Sequence, residues 1–179
     1  ESMRASGVAP NVVTYNTAIG VCHRASQWER SLELLDAMTS EGISPDEFTY
    51  TSALAACRKG MQGERARELI DAMRRRGIAP NAVHFSMAVS ACEKAKDWEG
   101  AVALLDEMRE CGLEPDVVTT SAAISACAKS QQSQRALELF DANSNLVFDI
   151  KTYNPLIYAC ENSGQWRRAV ALLDDAYEK

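Results

Sequence analysis

Six cysteines are the residues of this 179-residue chain whose chemistry first needs explaining. In a short chain they could form a disulfide framework or a zinc site. Five of them, however, are separated by 35, 35, 35 and 33 residues: Cys22, Cys57, Cys92, Cys127 and Cys160. Zinc ligands usually come in pairs a few residues apart, unlike these cysteines. If the spacing reflects structural repeats that stack about 10 Å apart, the Cα atoms of successive cysteines lie farther apart than the roughly 7 Å that a disulfide allows. We therefore expect small, buried, free thiols at helix contacts, with Cys111 outside this column and exposed.

The other residues of catalytic type form no recognisable constellation. The two histidines, His23 and His84, lie at different places relative to the cysteines. The sequence contains no Cys-x-x-Cys pair, no phosphate-binding glycine loop and no Gly-x-Ser-x-Gly motif. Asp174-Asp175 by itself is weak evidence for a metal site. We expect no enzyme activity, metal, cofactor or small-molecule substrate in this segment.

The composition is that of a folded chain with 46% apolar and 25% charged residues, which excludes intrinsic disorder. The net charge of −6 argues against a strongly basic nucleic-acid binder. No run approaches the roughly 18 apolar residues of a membrane span, so we expect no membrane insertion. No targeting peptide is visible in the sequence.

The period of 35 extends to other residue types and predicts a solenoid built from one repeated unit. It is shared by Pro10, Pro45, Pro80 and Pro115, and by Gly7, Gly42, Gly77 and Gly112. In residues 12–46, apolar side chains recur at helical spacing over 12–25 and again over 28–40, after which Gly42 predicts a helix stop. Each unit is therefore an antiparallel helix pair, and the fold class is an all-α superhelix.

The chain divides into five such units within one solenoid domain. Their predicted bounds are 12–46, 47–81, 82–116, 117–149 and 150–179, with 1–11 as the tail of a preceding repeat. The fourth unit is two residues short and lacks the closing Gly and Pro, so we expect its second helix to end early or its turn to be tighter. The fifth unit is incomplete.

The first unit reads VVTYNTAIGVCHRASQWERSLELLDAMTSEGISPD, and its opening recurs as VVTT at 117–120 and TYN at 152–154. This pattern resembles the pentatricopeptide repeat (PPR) family, in its P-type 35-residue form, over essentially the whole chain. The resemblance implies a right-handed superhelix whose first helices line a groove for single-stranded RNA, with one base read by each repeat. It also implies a plastid or mitochondrial protein that acts in RNA processing, stability, editing or translation.

The resemblance further implies that the fifth residue of each repeat and its closing residue contact the base edge. These residues are Asn16 with Asp46, Thr51 with Asn81, Ser86 with Asp116, Ser121 with Asp149, and Asn154 alone in the fifth repeat. The family's pairing tendencies then predict the sequence 5′-UAGG-3′. The second residue of each repeat is implied to pack against the bases; it is Val13, Phe48, Val83 and Val118, whereas Lys151 departs from this pattern.

Charge is distributed unevenly between the two layers of helices. The predicted first helices carry six basic and three acidic side chains, and the second helices carry a net charge of −6. The positive side chains include a ladder at intervals of 35 residues: Arg24, Lys59, Lys94 and Lys129. Such a ladder suits contacts with a phosphate backbone, although cations at these places could equally stabilise helix ends.

A protein-binding scaffold is the alternative function. Helical solenoids also bind proteins along extended surfaces, and a short, acidic array could be a structural subunit of a large organellar complex such as a ribosome. Its partners would then be protein subunits of that complex. Replacement of the ladder lysines by Glu would separate the two hypotheses, because it would abolish RNA binding and spare a protein interface on the second helices.

Overall fold

The computed structural model describes residues 10–178, which form ten α-helices and no strand. The helices are α1 (Val12–Arg24), α2 (Trp28–Ser40), α3 (Glu47–Gly60), α4 (Gly63–Arg75), α5 (Ala82–Ala95), α6 (Trp98–Glu110), α7 (Val117–Lys129), α8 (Ser133–Ala142), α9 (Ile150–Asn162) and α10 (Trp166–Glu178). Consecutive helices pack as pairs, and neighbouring pairs stack on one another. The predicted all-α superhelix of helix pairs is therefore confirmed. Most of the predicted tail at 1–11 lies outside the described residues.

The first helix of every pair begins after an Asn or Asp whose side chain accepts a hydrogen bond from the backbone in the first turn. These N-caps are Asn11, Asp46, Asn81, Asp116 and Asp149. A side-chain acceptor there satisfies a backbone N–H that the helix itself leaves unpaired. The last four of these caps are also the closing residues of the predicted repeats, so the repeat boundary lies within a helix cap.

The second helices of the first three repeats end at glycines in the left-handed region. Gly42, Gly77 and Gly112 have φ angles of 75°, 76° and 73°. Glycine adopts this conformation without steric cost because it has no Cβ. The chain then reverses into the N-cap of the next repeat.

Buried small side chains fill the contacts between stacked first helices. Cys57, Cys92, Cys127 and Cys160 are buried free thiols, as predicted, and Cys111 is exposed; Cys22, which was also expected to be buried, is only half-buried because no described helix pair stacks on its outer side. Burial raises the pKa of both the Cys57 and the Cys92 thiols to about 12. These thiols are therefore protonated packing groups rather than nucleophiles or metal ligands.

The fourth repeat departs from the others as its sequence predicted. Helix α8 has 10 residues, whereas α2, α4 and α6 have 13 each. Phe148 takes the place that a buried proline occupies in the first three repeats. Its ring lies 5.2 Å from that of Phe140, which lies 5.7 Å from the ring of Tyr153. Aromatic packing therefore closes this repeat without a left-handed glycine.

Candidate functional site

A row of exposed apolar side chains follows the beginnings of the first helices. Val13 is 71% exposed, Phe48 60%, Val83 54% and Val118 64%. These are the second residues of the first four repeats, and Lys151 at the same place in the fifth is also exposed. A regular row of large apolar side chains outside the core indicates a surface suited to a flat, stackable partner.

The fifth and closing residues of the first repeat meet in space although 30 positions separate them. Asn16 Nδ2 donates to both carboxylate oxygens of Asp46, at 3.0 and 3.1 Å. The Thr49 hydroxyl lies within hydrogen-bonding distance of Asn16 Oδ1 and of Asp46 Oδ1, and it accepts from the Asp46 N–H at 3.1 Å. We call Asn16, Asp46 and Thr49 the first polar cluster.

Asp46 remains ionised in this cluster. Partial burial raises the pKa of its carboxyl, but hydrogen bonds from the Thr49 backbone, the Thr49 hydroxyl and the Asn16 amide outweigh that effect and leave the pKa below its usual value. The cluster therefore presents a carboxylate acceptor beside an amide donor.

The second polar cluster consists of Thr51, Asn81 and His84, with Glu47 beside it. Thr51 Oγ1 lies 2.9 Å from His84 Nε2, and the Asn81 N–H donates to His84 Nδ1 at 3.1 Å. Thr51 donates its proton to the Glu47 carbonyl oxygen at 2.8 Å, and Asn81 Nδ2 donates to Glu47 Oε1 at 2.9 Å. His84 thus joins the fifth and closing residues of this repeat.

In the third and fourth repeats the closing residue also bonds to the third residue of the following repeat. Asp116 Oδ1 accepts from the Thr119 N–H and hydroxyl, at 2.8 and 2.7 Å, and Ser86 belongs to this repeat by its position. In the fourth, the Thr152 hydroxyl lies 2.7 Å from Ser121 Oγ and 3.2 Å from Asp149 Oδ1.

A groove of about 440 Å³ runs along the third to fifth repeats, and its lining includes Ser86, Ser121 and Asp149. Val118 and Lys151 also line it, so apolar and polar groups alternate along its wall. Asn154 is exposed and precedes Pro155 within α9. The structure thus brings Ser86 of the third repeat and both predicted residues of the fourth to one groove, whereas Asp116 and Asn154 lie outside its lining.

Sequence reasoning missed the third residue of each repeat. It is Thr14, Thr49, His84, Thr119 and Thr152 in successive repeats. In three clusters this side chain contacts the fifth residue of the preceding repeat, and in the first two it also accepts from the N–H of the closing residue. The signal was present as an Asn/Asp-x-x-Thr spacing, which is typical of a helix N-cap and its reciprocal partner.

The basic ladder is exposed, but two of its members contact the protein. Lys59 Nζ donates to the His23 carbonyl oxygen in the last turn of α1 at 2.8 Å. Lys129 forms an ion pair with Glu93 at 2.7 Å. Arg24 and Lys94 are exposed on the same ladder. Lys59 therefore contacts a helix end, which is one of the two roles considered for the ladder. Its ammonium group nevertheless remains at the surface.

The described side chains include no group of three His, Cys, Asp or Glu that could hold a metal ion. None of the described helices combines the length and apolarity needed to cross a membrane.

Two protein-family models match this chain. The PPR repeat family matches residues 10–59, and a pentatricopeptide repeat-containing protein family matches residues 54–176. The chain belongs to the pentatricopeptide repeat family. No curated protein matches it.

Solved PPR structures cover nearly all of this chain. The PPR protein PPR10 from maize matches with a TM-score of 0.71 and 32% identity, over 98% of this chain and 26% of PPR10. PPR10 in complex with an 18-nt psaJ RNA element matches with a TM-score of 0.59 and 30% identity, over 99% of this chain and 25% of that one. This PPR segment therefore spans about a quarter of the length of PPR10.

A more distant match supports the fold alone. The PPR domain of Arabidopsis thaliana protein-only RNase P 1, solved in complex with tRNA, has a TM-score of 0.80 and 15% identity. The match covers 93% of this chain and 89% of that domain.

Proposed function

We propose that this chain is a sequence-selective, single-stranded RNA-binding module in which each repeat reads one base. The observation that carries the proposal is the hydrogen bonding of Asn16 to Asp46, which unites a fifth and a closing residue at one site. Asn16 is only 9% exposed, whereas the second residues of the same two repeats, Val13 and Phe48, are largely exposed. Stacking of bases on apolar side chains and polar contacts at base edges are the two components of single-strand recognition.

The hydrogen-bond polarity of the first polar cluster is complementary to uracil. Asn16 retains amide donor capacity beyond its bond to Asp46, and the Asp46 carboxylate retains free lone pairs. The Watson–Crick edge of uracil carries carbonyl acceptors on either side of an N–H donor. An amide and a carboxylate can satisfy both kinds of group.

The second polar cluster has the opposite polarity, which is complementary to adenine. The Thr51 proton is directed to the Glu47 carbonyl, so Thr51 presents a lone pair. Asn81 Nδ2 has a second N–H beyond its bond to Glu47. Adenine offers an amino donor beside a ring-nitrogen acceptor, and this pair of groups matches both residues.

In the third and fourth repeats the fifth and closing positions hold a serine and an aspartate: Ser86 with Asp116, and Ser121 with Asp149. A carboxylate can accept from the two adjacent N–H donors of guanine. We therefore propose the target 5′-UAGG-3′, with Arg24, Lys59, Lys94 and Lys129 beside its phosphates. We also propose that Asn154 contributes less, because Lys151 occupies the packing position of its repeat.

Several features of the proposal rest on family membership. We place the protein in a plastid or mitochondrion, in RNA processing, stability, editing or translation. No catalytic step is assigned to this segment. PPR10 was solved with a psaJ RNA element, and this similarity supports RNA as the partner of the present chain.

A scaffold role is the second candidate, and one observation favours it. Exposed apolar side chains follow α10 at helical spacing, and they are Trp166, Val170, Leu173 and Tyr177. Such a stripe suits packing against another helical element, as in a protein subunit of an organellar complex.

Fluorescence-anisotropy titration at two salt concentrations tests the proposal. The probes are a short RNA containing UAGG, a scrambled RNA and the matching DNA. We expect preferential binding to UAGG that weakens with salt. The double variant T51N/N81D copies the residue types of the first cluster, and it should shift the preferred second base from A to U by about 1–3 kcal/mol.

Two outcomes would contradict these expectations. Equal binding to all probes would show that the chain does not distinguish between bases. No binding at micromolar protein would remove the RNA-binding function of this segment and leave the scaffold. If RNA does bind, replacement of Lys59 and Lys94 by Glu separates the candidates, because it should abolish RNA binding while an interface on the second helices survives.

A further inference from the structure

One histidine stands where the other four repeats have threonine. The third residue is Thr14, Thr49, Thr119 and Thr152 elsewhere, and it is His84 in the third repeat. The imidazole is 1% exposed and lies between the two proposed base-reading residues of the second repeat. A buried histidine with a partner on each ring nitrogen is held in one orientation.

The partners of His84 fix its tautomer. The Asn81 N–H points at Nδ1, so this nitrogen carries the lone pair and the neutral ring is protonated at Nε2. Nε2–H therefore donates to Thr51 Oγ1, whose own proton is already donated to the Glu47 carbonyl. His84 thus leaves Thr51 with one free lone pair and no free proton, which makes the Thr51 hydroxyl an acceptor toward a base.

Protonation of His84 would break this arrangement on its Asn81 side. An imidazolium carries N–H groups at both ring nitrogens, so Nδ1–H would face the Asn81 N–H donor. The Asn81 N–H would lose its acceptor, and repulsion between the two N–H groups would shift the imidazole relative to Thr51, while the Asn81 side chain keeps its bonds to Val83, His84 and Glu47. A threonine in this place cannot gain such a charge.

Burial and the nearby Glu47 carboxylate have opposite effects on the pKa of His84. Helix α5, which carries His84, packs against α3, α4, α6 and α7, and among the described residues the charged group that acts on the ring is Glu47 of α3. Burial lowers the pKa of His84, and the Glu47 carboxylate acts in the opposite direction but more weakly. The imidazole is therefore neutral at neutral pH and becomes charged only in acid.

We propose that His84 is a positioning residue for base recognition, and that its neutral Nε2–H tautomer sets Thr51 as acceptor for the second base and binds the Asn81 backbone beside it. This inference rests on the proposed function. It makes recognition of one base dependent on the protonation of an imidazole, whereas a threonine in the same place has no group that titrates.

The test compares two ratios of dissociation constants, measured by anisotropy with UAGG, UUGG and AAGG probes in one flanking sequence. The first ratio, UUGG over UAGG, reports the second base, and the second ratio, AAGG over UAGG, reports the first base. Both are measured at about pH 7.5 and below the His84 midpoint, which ¹⁵N NMR of the imidazole locates. The matched control is His84→Thr, which installs the residue of the other four repeats.

In the unmodified protein we expect the second-base ratio to fall about fivefold or more in acid while the first-base ratio holds. In H84T both ratios should stay within about twofold of their neutral values. A second-base ratio that is unchanged below the midpoint, or that falls equally in H84T, overturns the inference. An Nδ1-protonated neutral ring in the NMR spectrum overturns it independently of RNA.

The proposed function fails in a different way. If UAGG and UUGG bind equally at about pH 7.5, Thr51 and Asn81 do not read the second base. In that case the tautomer measured by NMR still decides whether His84 holds these two residues as described.

Discussion

In the first polar cluster the two proposed base-reading residues bond to each other; in the second they are joined through a third side chain. Asn16 donates directly to Asp46, whereas Thr51 and Asn81 each contact His84. Both clusters occupy the same three places in the repeat. In the fourth cluster Thr152 likewise joins Ser121 to Asp149, so a pair that does not bond directly is held through the third residue of the following repeat.

Asp46→Ala should have the largest effect, because it removes both the N-cap of α3 and the partner of Asn16. We expect the free energy of unfolding to fall by about 1–2 kcal/mol, measured by chemical denaturation. The control is Asp46→Asn, which copies the residue type of Asn81, a working N-cap in the second cluster. It should retain most of the stability while losing the carboxylate. Equal losses in both variants would mean that the charge, and not the cap, stabilises this boundary.

Thr49→His transfers the distinctive residue of the second cluster to the first. We expect discrimination between U and A at the first base to become acid-sensitive by about fivefold, because an imidazole would then contact Asn16 and the Asp46 N–H. Anisotropy titration across the titration range of the new imidazole checks this. A flat profile, together with NMR evidence that the new histidine titrates, would show that the third residue does not govern recognition.

The pH dependence of stability provides a readout without RNA. The pKa of His84 in the folded protein lies below the ordinary value of 6.5, so the unfolded chain binds more protons than the native one. The contribution of His84 is therefore complete above that value and decreases as the pH falls below it. We expect the free energy of unfolding of the unmodified protein to decline more steeply in acid than that of H84T. Parallel declines would assign the effect to His23, whose pKa burial also lowers.

Lys59→Gln should give the smallest change in stability. Lys59 donates to the end of α1, and its loss should cost about 0.5 kcal/mol in the free energy of unfolding. Arg24→Gln is the matched variant from the first repeat. If both cations lie along phosphates, each substitution should reduce the salt slope of RNA binding by about one. A slope unaffected by either variant would leave Lys59 as a helix-end residue only.

Much of the fold could be predicted because one period organises the sequence. The spacing of cysteines, glycines and prolines predicted five helix pairs, and the missing Gly and Pro of the fourth repeat predicted its short second helix. The buried, free cysteines also followed from spacing. These features depend on local conformation and repetition, which the sequence displays directly.

The hydrogen bonds of the site were harder to predict. Fifth and closing residues were placed together by the resemblance, but the role of Thr49 and His84 was not foreseen. A helix N-cap is a local interaction, whereas the contact of its third residue with the preceding repeat depends on how two helix pairs stack. In the same way, the hydrogen bond from Lys59 to the end of α1 depends on how closely two neighbouring repeats pack. The spacing of residues along the chain does not specify that distance.

The helix cap at each repeat boundary has a consequence for protein engineering. If residues 12–46 were grafted into another repeat protein, Asp46 would be transferred without Thr49. The hydrogen bonds between these two positions would then depend on one residue from each protein. A graft of residues 15–49 would carry Asn16, Asp46 and Thr49 together. The unit that can be transplanted with its chemistry intact is therefore out of phase with the unit of sequence repetition, by the three residues that open each helix.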